Sequence, residues 1–316
     1  MTRAYLLPLS IFAAVTCGAT LSQDSEAPVA PVQRPAAGVP AAVELTLPRK
    51  DGSLRIGVIG DSGTGDRAQY EVADILARAW RDLKFELVLM LGDNIYGSDN
   101  PRDYERKFEV PYKPLLEAGV KFYASLGNHD DRSQRFYRLF NMEGRTYYTF
   151  KKQNVRFFAL ESDYMDQKQL AWIENELRGS SDDWKICFFH HPIYSSGARH
   201  GSNVPLREVL EPLFIKYGVS VVFAGHEHFY ERVKPQQGIH YFTNGGAAKL
   251  REGNIRLRSP LTAVGFDDDR SFMLVEITGD ELYFQAISRT GRTVDSGSIR
   301  RRETSETTGF SLKPAA

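Results

Sequence analysis

Five short polar blocks, each following an apolar run, hold side chains able to bind metal ions: Gly60-Asp61-Ser62-Gly63, Gly92-Asp93-Asn94-Ile95-Tyr96, Gly127-Asn128-His129-Asp130, His190-His191-Pro192 and Gly225-His226-Glu227-His228. Each offers carboxylate, amide or phenol oxygens, or imidazole nitrogens, where a buried strand would end. Six of the seven histidines, His129, His190, His191, His200, His226 and His228, fall in such segments, and only His240 lies elsewhere. A core has no reason to gather so many polar rings beside glycine. Together the blocks supply donors for two adjacent cations, and a cation pair suits phosphate ester hydrolysis. Gly60, Gly92, Gly127 and Gly225 stand directly before the proposed ligands, where a sharp turn predicts positive φ.

Alternating strand and helix signals fill the chain between these blocks. Buried strands are predicted over 55–60, 85–91, 121–126, 184–189 and 219–224, with a hairpin of 147–150 and 155–160 around Gln153-Asn154. The segment 66–83 places Val72, Ile75, Leu76, Ala79 and Leu83 on one helical face. A second helix spans 166–178, with Asp166 as N-cap, Gln169 three residues on and Gly179 as a stop. A third, over 206–217, is broken or kinked at Pro212. Segments 271–277, 282–288 and 293–299 have the short runs of antiparallel strands. The expected class is α/β, a mixed sheet covered by helices, with chemistry collected at the strands' C-terminal ends. Cys187 lies inside an apolar run and is expected to be a small buried hydrophobe.

Lys plus Arg and Asp plus Glu are both 40, so charge gives a nucleic-acid partner or an acidic membrane surface no support. Arg3 is the lone basic residue before an uncharged stretch over 4–23 whose apolar part ends near Cys17, too short for a membrane span. Residues 1–19 therefore read as a secretory signal cleaved after Ala19, which implies a secreted or periplasmic protein without a transmembrane segment in its mature form. Lipid attachment at Cys17 is the minority alternative, disfavoured because Ala14-Val15-Thr16 matches a lipoprotein box poorly. Residues 20–50, rich in Pro and Ala, read as an extended linker, 51–302 as one folded catalytic domain and 303–316 as a frayed tail.

The five blocks, in this order, resemble the calcineurin-like metallophosphoesterase superfamily, and Tyr96 in Gly-Asp-Asn-Ile-Tyr brings the resemblance closest to its purple acid phosphatase branch. The resemblance runs from about Leu54 to Ile299 and implies a sandwich of mixed β-sheets flanked by helices, α-β-β-α. Carried over position by position, it implies that Asp61, Asp93, Tyr96 and His228 bind a first metal. Asp93 then bridges to a second, completed by Asn128, His190 and His226, with His190 preferred over His191 because the family pattern is His-x-Pro. His129 and His200 would act outside the metal shell, His129 held protonated by a carboxylate such as Asp130.

Charge separates the two positions. Asp61, Asp93 and a Tyr96 phenolate favour a hard, high-charge ion such as ferric iron, whereas Asn128 and two imidazoles with the bridge suit a divalent zinc, manganese or iron. The predicted reaction is hydrolysis of a small-molecule phosphate monoester by direct in-line attack of metal-bound hydroxide, with no phosphoenzyme. A phosphodiesterase or nucleotide hydrolase on the same metals is the first alternative, and a non-catalytic binding module on the same fold the second. Ser195, Ser196, Gly197 and Arg199, and the stretch 244–251 with Lys249 and Arg251, are candidates for substrate loops as well as solvated ones. A serine hydrolase is excluded for want of Gly-x-Ser-x-Gly, and a dinucleotide enzyme because Asp61 interrupts the glycine-rich turn.

Overall fold

Short apolar runs and capped amphipathic segments produce the order β1 (Leu54–Ile59), α1 (Arg67–Leu83), β2 (Leu87–Leu91), α2 (Pro101–Tyr104), α3 (Lys113–Glu117), β3 (Lys121–Ser125), β4 (Tyr148–Lys152), β5 (Val155–Ala159), α4 (Gln167–Gly179), β6 (Trp184–Phe189), α5 (Val204–Tyr217), β7 (Val221–Ala224), β8 (Tyr230–Val233), β9 (His240–Asn244), β10 (Thr262–Phe266), β11 (Ser271–Thr278), β12 (Glu281–Ser288) and β13 (Thr293–Arg300). The structure is a computed structural model and describes residues 43–256 and 258–302. The signal sequence, Cys17 and the 303–316 tail named above lie outside the described residues.

The strands form a six-stranded sheet, β13-β12-β11-β1-β2-β3, and a seven-stranded sheet, β10-β8-β9-β7-β6-β5-β4. In the first, β1, β2 and β3 run parallel, and β11 pairs antiparallel with β1. In the second, β5, β6, β7 and β9 run parallel, flanked by the antiparallel β4 and β8. The period-two alternation of β6 shows how the layers stack. Ile186 and Phe188 join a core with Val58 and Leu89 of the other sheet, while Cys187 and Phe189 pack with Ile173, Leu177, Leu210 and Phe214 of α4 and α5. Cys187 is fully buried and free, as its apolar neighbours require. The result is an α-β-β-α sandwich of mixed sheets.

Local capping sets the helix starts. Asp66 accepts from the Gln69 N–H at 3.1 Å and Asp166 from the Gln169 N–H at 2.8 Å, so both predicted caps are in place. Helix α5 is not broken at Pro212 but continues through it. The proline removes one intrahelical donor, but Leu206, Leu210 and Phe214 pack on the seven-stranded sheet and keep the segment helical. The linker expectation also fails at its C-terminal end. Val43 and Leu47 are buried, and the Arg49 and Lys50 N–H groups donate to the buried Glu276 carboxylate at 2.7 and 2.5 Å. Proline-rich composition upstream hid two apolar anchors. Among the described residues, no helix is long and apolar enough to cross a membrane.

Candidate metal centre

The C-terminal ends of β1, β2 and β3 lead directly into Asp61, Asp93 and Asn128, and those of β6 and β7 into His190 and His226. Both sheets thus deliver functional groups to one edge of the sandwich. The division is by element type as well as by sheet. Asp61, Asp93, Tyr96 and Asn128, all oxygen donors, follow strands of the six-stranded sheet; His190, His226 and His228, all nitrogen donors, follow strands of the seven-stranded one.

The seven predicted ligands converge. Tyr96 Oη donates to Asp61 Oδ1 at 3.1 Å, and His228 Nε2 lies 3.3 Å from that carboxylate oxygen and 3.5 Å from the phenol. Beside this group, Asn128 Oδ1 is 3.0 Å from both His190 Nε2 and His226 Nδ1, which are 3.1 Å apart. Asp93 joins the two groups, its Oδ1 lying 3.4 Å from His190 Nε2. Donor atoms of Asp61, Asp93 and His190 all fall within 4.8 Å of one another.

The chemistry of this set fits a cation pair. His190 Nδ1 lies 2.9 Å from the Leu91 carbonyl, which places the proton on Nδ1 and leaves the Nε2 lone pair aimed at the other donors. Burial, then the neighbouring Asp93, raises the Asp61 carboxyl well above its ordinary range. Burial also lowers His190 and His226, and brings His228 down to about 3. Tyr96 is raised by burial and by Asp61 and Asp93. Neutral imidazoles beside crowded buried carboxylates are what cations of high charge resolve. His191, which the sequence set aside, has a nitrogen within 4.8 Å of donors of His190 and His226. However, its Nδ1 meets Ser162 Oγ at 3.0 Å, and its Nε2 lies 3.7 Å from the Asp163 carboxylate.

The turns achieve this by a different division of labour from the one expected. Of the four glycines predicted at positive φ, only Gly92 has it, at 85°. The ligands themselves take the left-handed conformation, with φ of 55° at Asp61, 52° at Asp93 and 66° at His226. The glycines before them are needed for close approach: a Cβ on Gly225 would lie 2.7 Å from Asp61 Oδ2. A Cβ on Gly127 would strike the Asp93 carboxylate and come within 2.9 Å of His190 Cε1. Gly127→Ala should therefore displace both ligands and weaken metal retention at least about tenfold, with a stability loss of about 1–3 kcal/mol. Metal analysis after dialysis and a thermal melt check it; a variant that keeps its metal and its Tm would show that the loop yields.

Around the cage, buried carboxylates hold the loops. Asp130 does not pair with the His129 ring. Its carboxylate accepts from the backbone N–H groups of Asn94 at 2.8 Å, Ile95 at 3.0 Å and Gly127 at 3.0 Å, clamping the second and third blocks together. Burial and then Asp93 push Asp130 up to about 7. His129 donates its backbone N–H to Asp93 Oδ1 at 2.9 Å, and its exposed ring lies 5.1 Å from the Tyr96 ring. His200 is also exposed, with its ring 4.4 Å from that of His226. Its backbone is held by Glu227, which accepts from the His200 and Gly201 N–H groups at 3.2 and 2.7 Å and from Asn254 Nδ2 at 2.9 Å. Ser195 and Ser196 face inward to the buried Glu231, the Ser196 hydroxyl donating at 2.6 Å, so they shape the loop from beneath. Lys249 Nζ lies 4.4 Å from the centre of the Tyr96 ring, and Arg251 Nη1 3.6 Å from Glu227. Sequence reasoning missed the roles of Asp130, Glu227 and Glu231. The one available signal was Glu227, a carboxylate enclosed between two candidate ligands.

A family model for calcineurin-like phosphoesterases matches residues 54–230. Purple acid phosphatase 4 of Arabidopsis thaliana is 28% identical over 272 residues, covering 74% of this chain and 80% of that protein. Tartrate-resistant acid phosphatase type 5 of Homo sapiens is 24% identical over 304 residues, covering 79% and 92%. Among solved structures, a purple acid phosphatase from yellow lupin (Lupinus luteus) seeds superposes with a TM-score of 0.69 at 18% identity, over 81% of this chain and 55% of that one. GAP50, the anchor in the inner membrane complex of Plasmodium, superposes with a TM-score of 0.66 at 18% identity, over 80% and 90%. These structural likenesses show a shared sandwich, and the family match, which spans more than half of the sequence, carries the assignment: the chain belongs to the calcineurin-like phosphoesterase family.

Proposed function

We propose that this protein is a dinuclear-metal phosphatase that hydrolyses phosphate monoesters by in-line displacement without a phosphoenzyme. The observation that carries the reading is the convergence of the seven donors Asp61, Asp93, Tyr96, Asn128, His190, His226 and His228. Asp61, Asp93, Tyr96 and His228 would hold one cation, for which three anionic oxygens favour ferric iron; Asp93, Asn128, His190 and His226 would hold a divalent second. Bound there, the pair supplies an activated water and neutralises charge on the phosphoryl oxygens.

The chain's own groups do the rest. His129 and His200, exposed at the mouth, are positioned to give a proton to the leaving oxygen. Asp163 at the rim is pushed up to about 6 by burial and then Asp93. Lys249 and Arg251 add fixed positive charge beside Tyr96 and His228, where a bound phosphate needs it.

Metal-loaded protein should hydrolyse p-nitrophenyl phosphate far faster than bis-p-nitrophenyl phosphate and show a violet band lost in Tyr96→Phe. The reverse preference would favour a phosphodiesterase, and two bound metals without hydrolysis of either ester would favour a binding module. Loaded, active but colourless protein would replace ferric iron by a divalent pair.

A further inference from the structure

A second concavity is linked to the metal centre by chain segments and side-chain contacts and is built from different chemistry. A cavity of about 750 Å³ is lined by Arg132, Arg135, Arg145, Tyr147, Trp172 and Glu176, among others. Two chain segments connect it to the centre. Arg132 follows the block that carries Asn128 and His129, and the buried Glu161 beside Arg132 precedes Ser162 and Asp163, which contact His191.

Three guanidinium groups share this wall, and none has a close carboxylate partner among the described residues. Arg132 Nε is 3.7 Å from Glu161, and Arg145 Nη2 is 3.6 Å from Glu143, both beyond hydrogen-bond reach. Arg132 and Arg135 instead stack on exposed aromatic rings, their guanidinium carbons 5.0 Å from the Tyr164 ring centre and 4.4 Å from that of Phe136. A guanidinium held by its face keeps N–H edges for a planar or tetrahedral anion. Arg135 uses one of them on the Arg132 carbonyl, at 2.7 Å. The cavity also has an aromatic wall, where the Tyr147 and Trp172 rings meet with centroids 4.9 Å apart and planes tilted by 53°. Glu176 supplies an acceptor for amino or hydroxyl groups.

We infer that this cavity is a subsite for the leaving group, and that it takes a ring-bearing fragment carrying a second anionic group, of which a nucleoside monophosphate is a simple form. The inference rests on the proposed phosphatase reading and names the substrate class for it. In the reaction, water oxygen bonds to phosphorus, the P–O bond to the leaving group breaks (an ester bond in phenyl phosphate, the phosphoanhydride bond in ADP), and the protons of the water pass to the leaving oxygen or to solvent. The departing fragment is then the part that the arginines and the aromatic wall hold.

The test compares ADP, whose leaving group is AMP, with phenyl phosphate, whose leaving group has no second charge. In metal-loaded Arg135→Gln and Arg145→Gln, KM for ADP should rise about tenfold each, the scale of one lost charge-assisted hydrogen bond, with phenyl phosphate kinetics unchanged. Trp172→Leu should weaken ADP likewise. Equal changes for both substrates, or no change for either, would overturn the subsite. A separate arm needs no turnover: calorimetric titration of the loaded protein with α,β-methylene-ADP should be about tenfold weaker in Arg145→Gln. Equal binding by wild type and variant removes the inference even in an active enzyme. Specific binding by a protein inert toward phenyl phosphate would instead overturn the phosphatase reading and keep the site.

Discussion

Asp93→Ala should lose both metal ions and all measurable turnover in a single step. Its Oδ1 lies 3.4 Å from His190 Nε2 and accepts the His129 N–H at 2.9 Å, so one side chain joins the two halves of the cage and anchors the third block. Removing it deletes a negative charge that each cation would share and frees the Asn128-His129 loop. Metal content should fall from about two ions per chain to below one, and kcat/KM by at least about a thousandfold, because phosphoryl transfer depends on that positive charge. Elemental analysis and phenyl phosphate kinetics check both parts, with a circular dichroism spectrum to confirm folding. Two retained ions would show that Asp93 does not bridge.

His129→Ala should behave in the opposite way. The backbone N–H that braces Asp93 survives the substitution, and the ring is exposed rather than packed into the cage. Metal content should therefore stay at the wild-type level while kcat falls about 10²–10⁴-fold, the usual contribution of a positioned proton donor. The loss should be largest for esters with basic leaving groups and small for p-nitrophenolate, which departs without a proton. Wild-type kcat across the acidic range would remove His129 from the reaction and leave His200 as the remaining candidate.

The contrast between these variants follows from what the sequence could and could not disclose. The candidate donors were legible because residues of the right type recur after apolar runs, and the resemblance to calcineurin-like phosphoesterases sorted them into two proposed sites. Helix starts were legible for a local reason: Asp66 and Asp166 each stand three residues before the N–H they accept. The hairpin of β4 and β5 was likewise announced by its turn, where Gln153 takes a φ of 50°. Strands β8, β9 and β10 were not found. β9 pairs in parallel with β7 while β8 runs antiparallel beside it, and nothing within either segment specifies such a distant partner. Nor was the short helical stretch before β3 found, where a π-turn over Glu105–Glu109 interrupts the ordinary period.

Buried carboxylates were the deeper omission. Asp130, Glu227 and Glu231 resemble solvated residues in sequence, and their partners are backbone N–H groups up to 36 residues away. Their function is to hold loops, which no pattern of residue types encodes. The glycine expectation failed for a related reason. Sequence correctly marks where the chain must turn, but only the packed structure shows that Asp61, Asp93 and His226 take the left-handed conformation themselves.

The segregation of oxygen donors to one sheet and imidazoles to the other has a consequence for biogenesis. Neither sheet alone would complete either proposed coordination shell, and β11, β12 and β13, translated after the other described strands, belong to the same sheet as β1 and β2. Capture of ions at the proposed sites would then come late, after the two layers have docked. Once captured, the ions would rivet those layers together, so chelation should loosen the sandwich at the edge where catalysis occurs.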